Sequence, residues 1–219
     1  MNDPAGREQL LKFGVTSVPV LARGTQYIFC QNLEDVAEFV GLQGTGHTPL
    51  SPPELMTKWT AVLGAAQRYV CQLPNERLLE RAIDNRDRSI RLLTHHIFRI
   101  GEAFLEVAID GAEYRLQLAN VPPPDGTFLT GREIAAYGDE ILDRLRTWWE
   151  QLSDKSCHQK IKTFYGPQPA HQLLERSTWH SAQHTRQLSA VLERFQIAPD
   201  GPLTSEHLAG LPLPAGLWE

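Results

Sequence analysis

The sequence predicts a mainly α protein, with a four-helix bundle preceded by a small α/β fragment. Four long segments carry apolar residues at helical spacing, which is typical of helices that bury one face in a bundle. A short segment at the N-terminal end instead contains brief β-rich runs separated by turn residues, which indicates a separate α/β unit. Hydrophobic residues make up 42% of the 219 residues and charged residues 21%, so the chain can bury a sizeable core.

Residues 1–42 are the predicted α/β fragment, which is too small to be stable alone and is expected to pack on the rest of the chain. Asn32 is the expected N-cap of its last helix, since its side chain can accept a hydrogen bond from a free backbone N–H. The expected elements are a helix at Pro4–Phe13, strands at Val18–Leu21 and Tyr27–Phe29, and a helix at Leu33–Val40.

The bundle is assigned to residues 51–197, after a linker rich in Gly, Pro, Ser and Thr at residues 43–50. Ser51 is the expected cap of the first long helix, which has prolines in its first turn. Residues 198–219 are expected to form an extended C-terminal tail with one short helix. The predicted helices are 52–73, Asp87–Ile109, Gly131–Leu152 and Ala170–Phe195, with the short one at Ser205–Ala209.

The connection between the second and third helices is about twenty residues long, which exceeds the usual 2–8 residues between adjacent antiparallel helices. We interpret it as a crossover. Pro122, Pro123 and Pro124 exclude one continuous helix there. The stretch Glu113–Val121 is expected to be extended.

Charge and composition exclude several classes of protein. The chain carries 21 Lys and Arg against 26 Asp and Glu, a net charge of −5, so nucleic-acid binding is not expected. No apolar run approaches the ~18 residues that cross a bilayer, and the first residues lack the pattern of a secretory signal. We therefore expect a cytoplasmic protein that makes no membrane contact. Cys30, Cys71 and Cys157 are odd in number and far apart, which favours reduced thiols over a disulfide framework.

Two histidines of the fourth predicted helix, His180 and His184, indicate a metal site. They are four residues apart, so on a helix they lie on one face together with Leu188 and Val191. Both imidazoles are therefore expected to face the interior, where unpaired polar groups cost free energy and a shared divalent ion would use both rings. Such a pair alone is weak evidence for a metal site. The alternative interpretation is that both histidines are ordinary core residues with hydrogen-bond partners.

The third ligand is predicted from the second helix, which offers His95 and His96. His96 shares a stripe with Leu93 and is expected to face inward, so we choose it as the ligand. His95 lies nearer Arg99 on a polar flank. It is expected either at the surface or in support of a ligand.

Three imidazoles would leave a divalent ion with an open position, which is typical of catalytic sites. Zinc suits nitrogen ligands, and nickel and iron are also compatible. Such an ion could lower the pKa of a water molecule or of a thiol. The catalytic residues are unknown from the sequence. Arg186 is a candidate because it follows His184 closely and could hold an anionic group of a substrate, but salt-bridged helix residues are the simpler interpretation of Arg186, Glu102 and Glu106.

Two motifs carry these histidines: Ser89–Ile97, of the form S-I-x-x-L-x-x-H-I, and Trp179–Leu188, which is W-H-S-A-Q-H-T-R-Q-L. With them, residues 51–197 resemble the DinB/YfiT-like superfamily of metal-dependent proteins. The resemblance implies a four-helix bundle, typically dimeric, in which the same three histidines bind zinc, nickel or a similar ion. Members of that superfamily include thiol-dependent S-transferases and isomerases, so the motifs are specific for the site but not for a reaction.

The N-terminal fragment contains Thr16–Val20 (T-S-V-P-V) and Phe29–Val36 (F-C-Q-N-L-E-D-V). Residues 4–41 thereby resemble the second half of a glutaredoxin, a thioredoxin-like fold. The resemblance implies that Val18 binds the backbone of glutathione and that the following peptide bond is cis, with an ordinary edge-strand proline as the alternative. The first strand and helix of that fold, with its redox cysteines, have no counterpart. The fragment is thus expected to be either a vestigial docking element or part of a natural chain that begins upstream of this sequence.

Taken together, these patterns predict a homodimeric, metal-dependent transferase that acts on a small molecule with a low-molecular-weight thiol such as glutathione. One alternative is a non-enzymatic, stress-related metal-binding or assembly protein. Another is a metal-dependent hydrolase, which would need no thiol.

Overall fold

The computed structural model describes residues 4–15, 19–31, 33–43, 46–83 and 87–218. The chain divides into two compact units, Met1–Thr48 and Pro49–Glu219. Within the described ranges the protein is mainly helical with small two-stranded sheets, which confirms the predicted mainly α class. No helix in these ranges is both long and apolar enough to cross a membrane.

The first unit contains a helix, a β-hairpin and a second helix. Its elements are α1 (Pro4–Lys12), β1 (Val20–Arg23), β2 (Gln26–Phe29) and α2 (Leu33–Val40). The hairpin is antiparallel with Val20 opposite Phe29, and Gly24 has the positive φ of 63° that its tight turn requires. Val18 and Asn32, the predicted thiol-binding residue and helix cap, lie outside the described residues, as does the peptide bond predicted to be cis.

The second unit contains four long helices, which agree with the four predicted ones to within a few residues. Its elements are α3 (Pro52–Gln72), α4 (Ile90–Ala108), α5 (Leu116–Ala119), α6 (Gly131–Gln151), β3 (Lys160–Ile161), β4 (Gln168–Pro169), α7 (Ala170–Arg194) and α8 (Ser205–Leu208). The strands β3 and β4 pair antiparallel just before α7.

Capping residues mark the beginnings of α3 and α6. Before α3, the backbone N–H of Ser51 donates to the Glu54 carboxylate at 2.9 Å. Before α6, Thr130 and Glu133 satisfy each other's backbone N–H groups, which is a capping box. Side chains thus satisfy backbone groups that the first turn of a helix leaves unpaired.

The four long helices share one core. Helices α3 and α4 each pack against both α6 and α7. In the core, Trp59 packs edge-on against Phe104, with ring centroids 5.3 Å apart. Helices α4 and α6 approach closely where Gly138 faces the Phe98 ring, and a Cβ atom at Gly138 would lie 2.6 Å from that ring.

Near α4 the structure shifts one predicted helix start by three residues and contradicts one other prediction. The helix begins at Ile90 rather than Asp87, because Ser89 is its N-cap and accepts a hydrogen bond from Leu92 N at 3.2 Å. The stretch Glu113–Val121, predicted to be extended, instead contains the helical turn α5, which packs on α4. The last carbonyls of a helical turn have no partner within it, so they can accept hydrogen bonds from α4.

The C-terminal tail is tied to two of the long helices. From α3, Arg68 donates to the backbone oxygens of Asp200 and Gly201, each at 3.0 Å. From α7, Gln183 donates to Leu217 O at 2.7 Å. Apart from α8, the described residues 198–218 form no regular secondary structure.

Candidate metal centre

The three predicted ligands meet inside the second unit. His96 lies on α4, and His180 and His184 lie one turn apart on α7. One ligand nitrogen of each ring lies within 4.8 Å of those of the other two. The ring centroids are between 4.8 and 5.1 Å apart. The three histidines therefore form a group that could hold a metal ion.

The three histidines are largely buried, but they are not fully closed off from solvent. His96 is 5% exposed and His184 9% exposed, while His180 is partly buried. A cavity of about 400 Å³ reaches His96 and is also lined by Arg88 and Asn120. Of the three histidines, only His96 lines this cavity.

A backbone carbonyl orients the ring of His96. Its Nδ1 lies 2.7 Å from Ala119 O, at the end of α5. Because a carbonyl oxygen can only accept, Nδ1 carries the proton and Nε2 presents its lone pair. Arg99 donates from Nε to the adjacent carbonyl of Leu118 at 2.8 Å, so α5 is held to α4 at the point where its carbonyl meets the ligand.

A glutamine orients the ring of His184. Its Nδ1 lies 2.7 Å from Gln187 Oε1, and the amide nitrogen of Gln187 donates to Leu217 O at 2.8 Å. The bond to Leu217 fixes which end of the amide faces the imidazole, so Nδ1 is again the donor. Both rings thus follow the arrangement of metal-ligating histidines, whose other nitrogen donates to an oxygen.

Burial favours the neutral form of two of the three imidazoles, those of His96 and His180. The pKa of His96 is lowered from 6.5 to about 2, first by burial and then by the charges of His184 and Arg88. The pKa of His180 is lowered well below 6.5, again first by burial and then by its two histidine neighbours. A neutral imidazole has a free lone pair, so at neutral pH these rings are ready to bind a metal ion.

A buried hydrogen-bond chain fixes α4 and α7 beside the ligands. Trp59 Nε1 on α3 donates to Ser181 Oγ at 3.0 Å, and Ser181 Oγ donates to Ile97 O at 3.3 Å. Ser181 follows His180, and Ile97 follows His96. These two hydrogen bonds therefore hold α3, α4 and α7 in register at the level of the candidate site.

His95 is not at the surface. It is 5% exposed and stacks on Tyr137, with ring centroids 5.2 Å apart and an interplanar angle of 11°. Phe128 packs on the same ring at 5.2 Å. The surface alternative is thus wrong, because Tyr137 and Phe128 cover the flank that looks polar in the sequence. Its pKa is lowered to about 4, first by burial and then by the charge of Arg99.

Glu102 and Glu106 are paired with a buried arginine, as interpreted from the sequence. Arg99 Nη1 lies 2.8 Å from Glu102 Oε2 and 2.6 Å from Glu106 Oε1. Tyr137 also donates to Glu102, at 2.5 Å. Burial alone would raise the pKa of Glu102, but the hydrogen bonds from Tyr137 and Arg99 outweigh it and lower that pKa. Glu102 is therefore a charged partner of Arg99.

Arg186, the catalytic candidate from the sequence, is engaged with the tail. Its Nη1 donates to Gln183 Oε1 at 2.7 Å and to Pro214 O at 3.3 Å. These contacts connect α7 to the C-terminal segment. Among the described residues both acceptors are uncharged, so Arg186 has a structural role here but not through the salt bridge interpreted from the sequence.

Sequence reasoning missed two parts of the site. The carbonyl of Ala119 could not be found, because a backbone acceptor leaves no signature in residue types. Gln187 left a weak signal: it follows His184 by three residues, a spacing at which helical side chains meet.

The donor set could hold a metal ion, because it brings three imidazole nitrogens together from two helices. Comparison of the sequence with protein-family models and with curated proteins returned no match. Fold and site together define a mainly helical protein with a candidate three-histidine metal centre.

Proposed function

We propose that this chain is a DinB-like four-helix bundle that binds zinc or nickel through His96, His180 and His184 and acts as a metal-dependent transferase with a low-molecular-weight thiol. The observation that carries the proposal is the convergence of three imidazoles, two of them with Nδ1 bound to an oxygen. Three protein ligands leave a position open for another group. This favours a site that reacts over one that only holds the fold together.

When bound, the ion would supply a positive charge that lowers the pKa of a thiol at the site. The residues of the chain would bind the ion, orient the imidazoles and shield them from solvent. Ala119 and Gln187 hold two imidazoles, and burial keeps His96 and His180 neutral. Arg88 and Arg176 place positive charge near the histidines, which favours an anionic thiolate over a neutral thiol.

The proposed reaction transfers the thiol sulfur to an electrophilic carbon. The thiol loses its proton to solvent, and its sulfur uses the resulting electron pair to form a bond to carbon. The leaving group departs with the electrons of the broken carbon bond. Electrons and atoms balance without an oxidant or a reductant, so the free cysteines of the chain are not needed.

The first unit enters the proposal only as a glutaredoxin-like fragment. Its described elements, a helix, a hairpin and a second helix, have the order predicted from the sequence. Its resemblance to a glutaredoxin is what favours a thiol over water in the proposal, and Val18, the predicted thiol-binding residue, lies outside the described residues. A homodimer is likewise part of the proposal through the resemblance alone.

The metal site is tested by a pair of neighbouring substitutions. His96→Gln is expected to abolish binding of the ion in elemental analysis, because it removes one of three ligands. His95→Gln changes an equally buried histidine that stacks on Tyr137, and it is expected to retain the ion. Circular dichroism checks the helical content of both variants. Full occupancy in His96→Gln would refute the ligand assignment.

The reaction is tested with metal-loaded and metal-stripped protein, glutathione or cysteine as the thiol, and a chloro-dinitrobenzene as the electrophile. The expected result is formation of the thioether and release of chloride that require both the ion and the thiol. Ester hydrolysis without any thiol would instead identify a hydrolase. Absence of turnover, together with loss of helical structure on chelation, would identify a structural metal site.

A further inference from the structure

We propose that the end of the C-terminal tail, residues 216–218, positions the ligand His184 through the side chain of Gln187. This inference rests on the metal site of the proposed function. It goes beyond that function because it assigns a role to a tail that supplies none of the three histidines. Gln187 and Leu217 are here positioning residues, since they act through His184.

Both the oxygen and the nitrogen of the Gln187 side-chain amide form hydrogen bonds. Its oxygen accepts from His184 Nδ1 at 2.7 Å, and its nitrogen donates to Leu217 O at 2.8 Å. The reversed amide would set two oxygens against each other at Leu217 and two donors against each other at His184. The Leu217 carbonyl therefore selects the amide orientation, and the amide in turn selects the His184 form whose Nε2 lone pair is free for a metal ion.

A second glutamine on the same face of α7 holds the tail in place. Gln183 donates to Leu217 O at 2.7 Å and to Gly216 O at 3.2 Å. It is four residues from Gln187, so the two amides lie one above the other on the helix. Gln183 is 6% exposed and Gln187 is 3% exposed. A buried amide N–H without a partner is unfavourable, so both amide nitrogens depend on the tail for their hydrogen bonds.

The other oriented ligand does not depend on the tail. His96 is held by Ala119 O, and the neighbouring Leu118 O is fixed by Arg99. Removal of the tail contacts should therefore disturb His184 and leave the orientation of His96 intact. Metal affinity and docking of the tail are then coupled, and each should strengthen the other by the same factor.

Three full-length variants and one truncation test the coupling. Gln187→Met keeps the length of the side chain but removes both hydrogen bonds. Gln187→Glu keeps an acceptor for His184 and removes the donor to Leu217. Gln67→Met is the matched control, because Gln67 is a partly buried glutamine of α3 that bonds to Asp139 rather than to the site. The truncated chain ends at residue 215.

Zinc affinity is measured by competition with a chromophoric chelator, and the ring ¹⁵N shifts of His184 are measured in the metal-free protein. Loss of the support of a ligating histidine weakens metal binding by about 10–100-fold. We expect such a loss in Gln187→Met and in the truncated chain, with a mixture of His184 tautomers. Gln187→Glu is expected to keep the Nδ1–H tautomer and most of the affinity, and Gln67→Met to match the wild type.

The outcomes separate this inference from the proposed function. If Gln187→Met and the truncated chain bind zinc as the wild type does, with the same His184 tautomer, the tail has no positioning role and the metal site stands. If the wild type itself binds no ion, both fail. Gln187→Met keeps the test decisive if the truncated chain does not fold, since it leaves the tail sequence complete.

Discussion

At the scale of single residues, burial determines the protonation state of the two ligands with shifted pKa values. His96 has its pKa lowered from 6.5 to about 2, and that of His180 is lowered well below 6.5. In both cases burial is the largest cause, because an apolar interior disfavours the charged imidazolium. These two imidazoles are therefore neutral in the metal-free protein, and protonation of either ring is unfavourable in the folded state.

This resistance predicts a pH dependence of the stability of the metal-free protein. Below pH 6.5 these histidines are protonated in the unfolded chain but stay neutral in the folded one, so the unfolded state binds more protons. Above pH 6.5 the contribution of these two histidines to the free energy of unfolding is at its maximum. The free energy of unfolding should fall as the pH is lowered from 6.5 towards the pKa values of the folded state. The expected slope is up to about 1.4 kcal/mol per pH unit for each histidine.

Urea unfolding of the metal-free protein between pH 7 and pH 5 measures this slope. His96→Gln should lower it, because one proton-binding group of the unfolded state is gone. His158→Gln is the control, since His158 is solvent-exposed, and it should unfold with the slope of the wild type. An identical slope in His96→Gln and in the wild type would contradict the neutral, buried state of His96.

At the scale of the elements, the contact between α4 and α6 depends on Gly138, which has no side chain to separate the two helices. A Cβ atom at Gly138 would lie 2.6 Å from Cε1 of Phe98, and Phe98 is fully buried. Gly138→Ala must therefore displace the ring or the helix. The expected cost is about 1–3 kcal/mol, as for other overpacked cores.

Gly64→Ala is the matched control for this contact. Gly64 also lies inside a long helix, α3, but a Cβ atom there would meet Arg68 Nη1 at 3.6 Å, an ordinary contact. Alanine is better than glycine in a helix interior by roughly 0.5–1 kcal/mol, so this variant should be slightly more stable. Thermal unfolding compares the two, and equal stability would show that α4 and α6 do not pack this closely.

The same elements show what could be predicted from the sequence. The stripe of His96 on α4 and the spacing of His180 and His184 on α7 were enough to bring three ligands to one place, because helical periodicity fixes which residues share a face. The turn α5 was predicted to be extended, since four residues are too few for a periodic pattern. It forms because its carbonyls meet His96 and Arg99, contacts that exist only in the folded chain.

At the scale of the whole molecule, the candidate ligands join two helices of one unit. His96 belongs to α4 and the other two histidines to α7, and all three lie within Pro49–Glu219. A ligand that binds the folded state alone stabilises it by mass action, by about 2.7 kcal/mol at a free concentration of 100 times Kd. Zinc should therefore stabilise the unit that contains the site.

Hydrogen exchange of the full-length protein, with and without zinc, tests where this stabilisation acts. Zinc is expected to slow exchange of backbone amides in α4 and α7, because opening of either helix would release the ion. The first unit, Met1–Thr48, contains none of the three histidines, so the prediction requires slower exchange in α4 and α7 and does not concern that unit. In His96→Gln the effect of zinc should vanish everywhere. Protection that appears in the first unit but not in α4 and α7 would place the ion elsewhere and refute the three-histidine site.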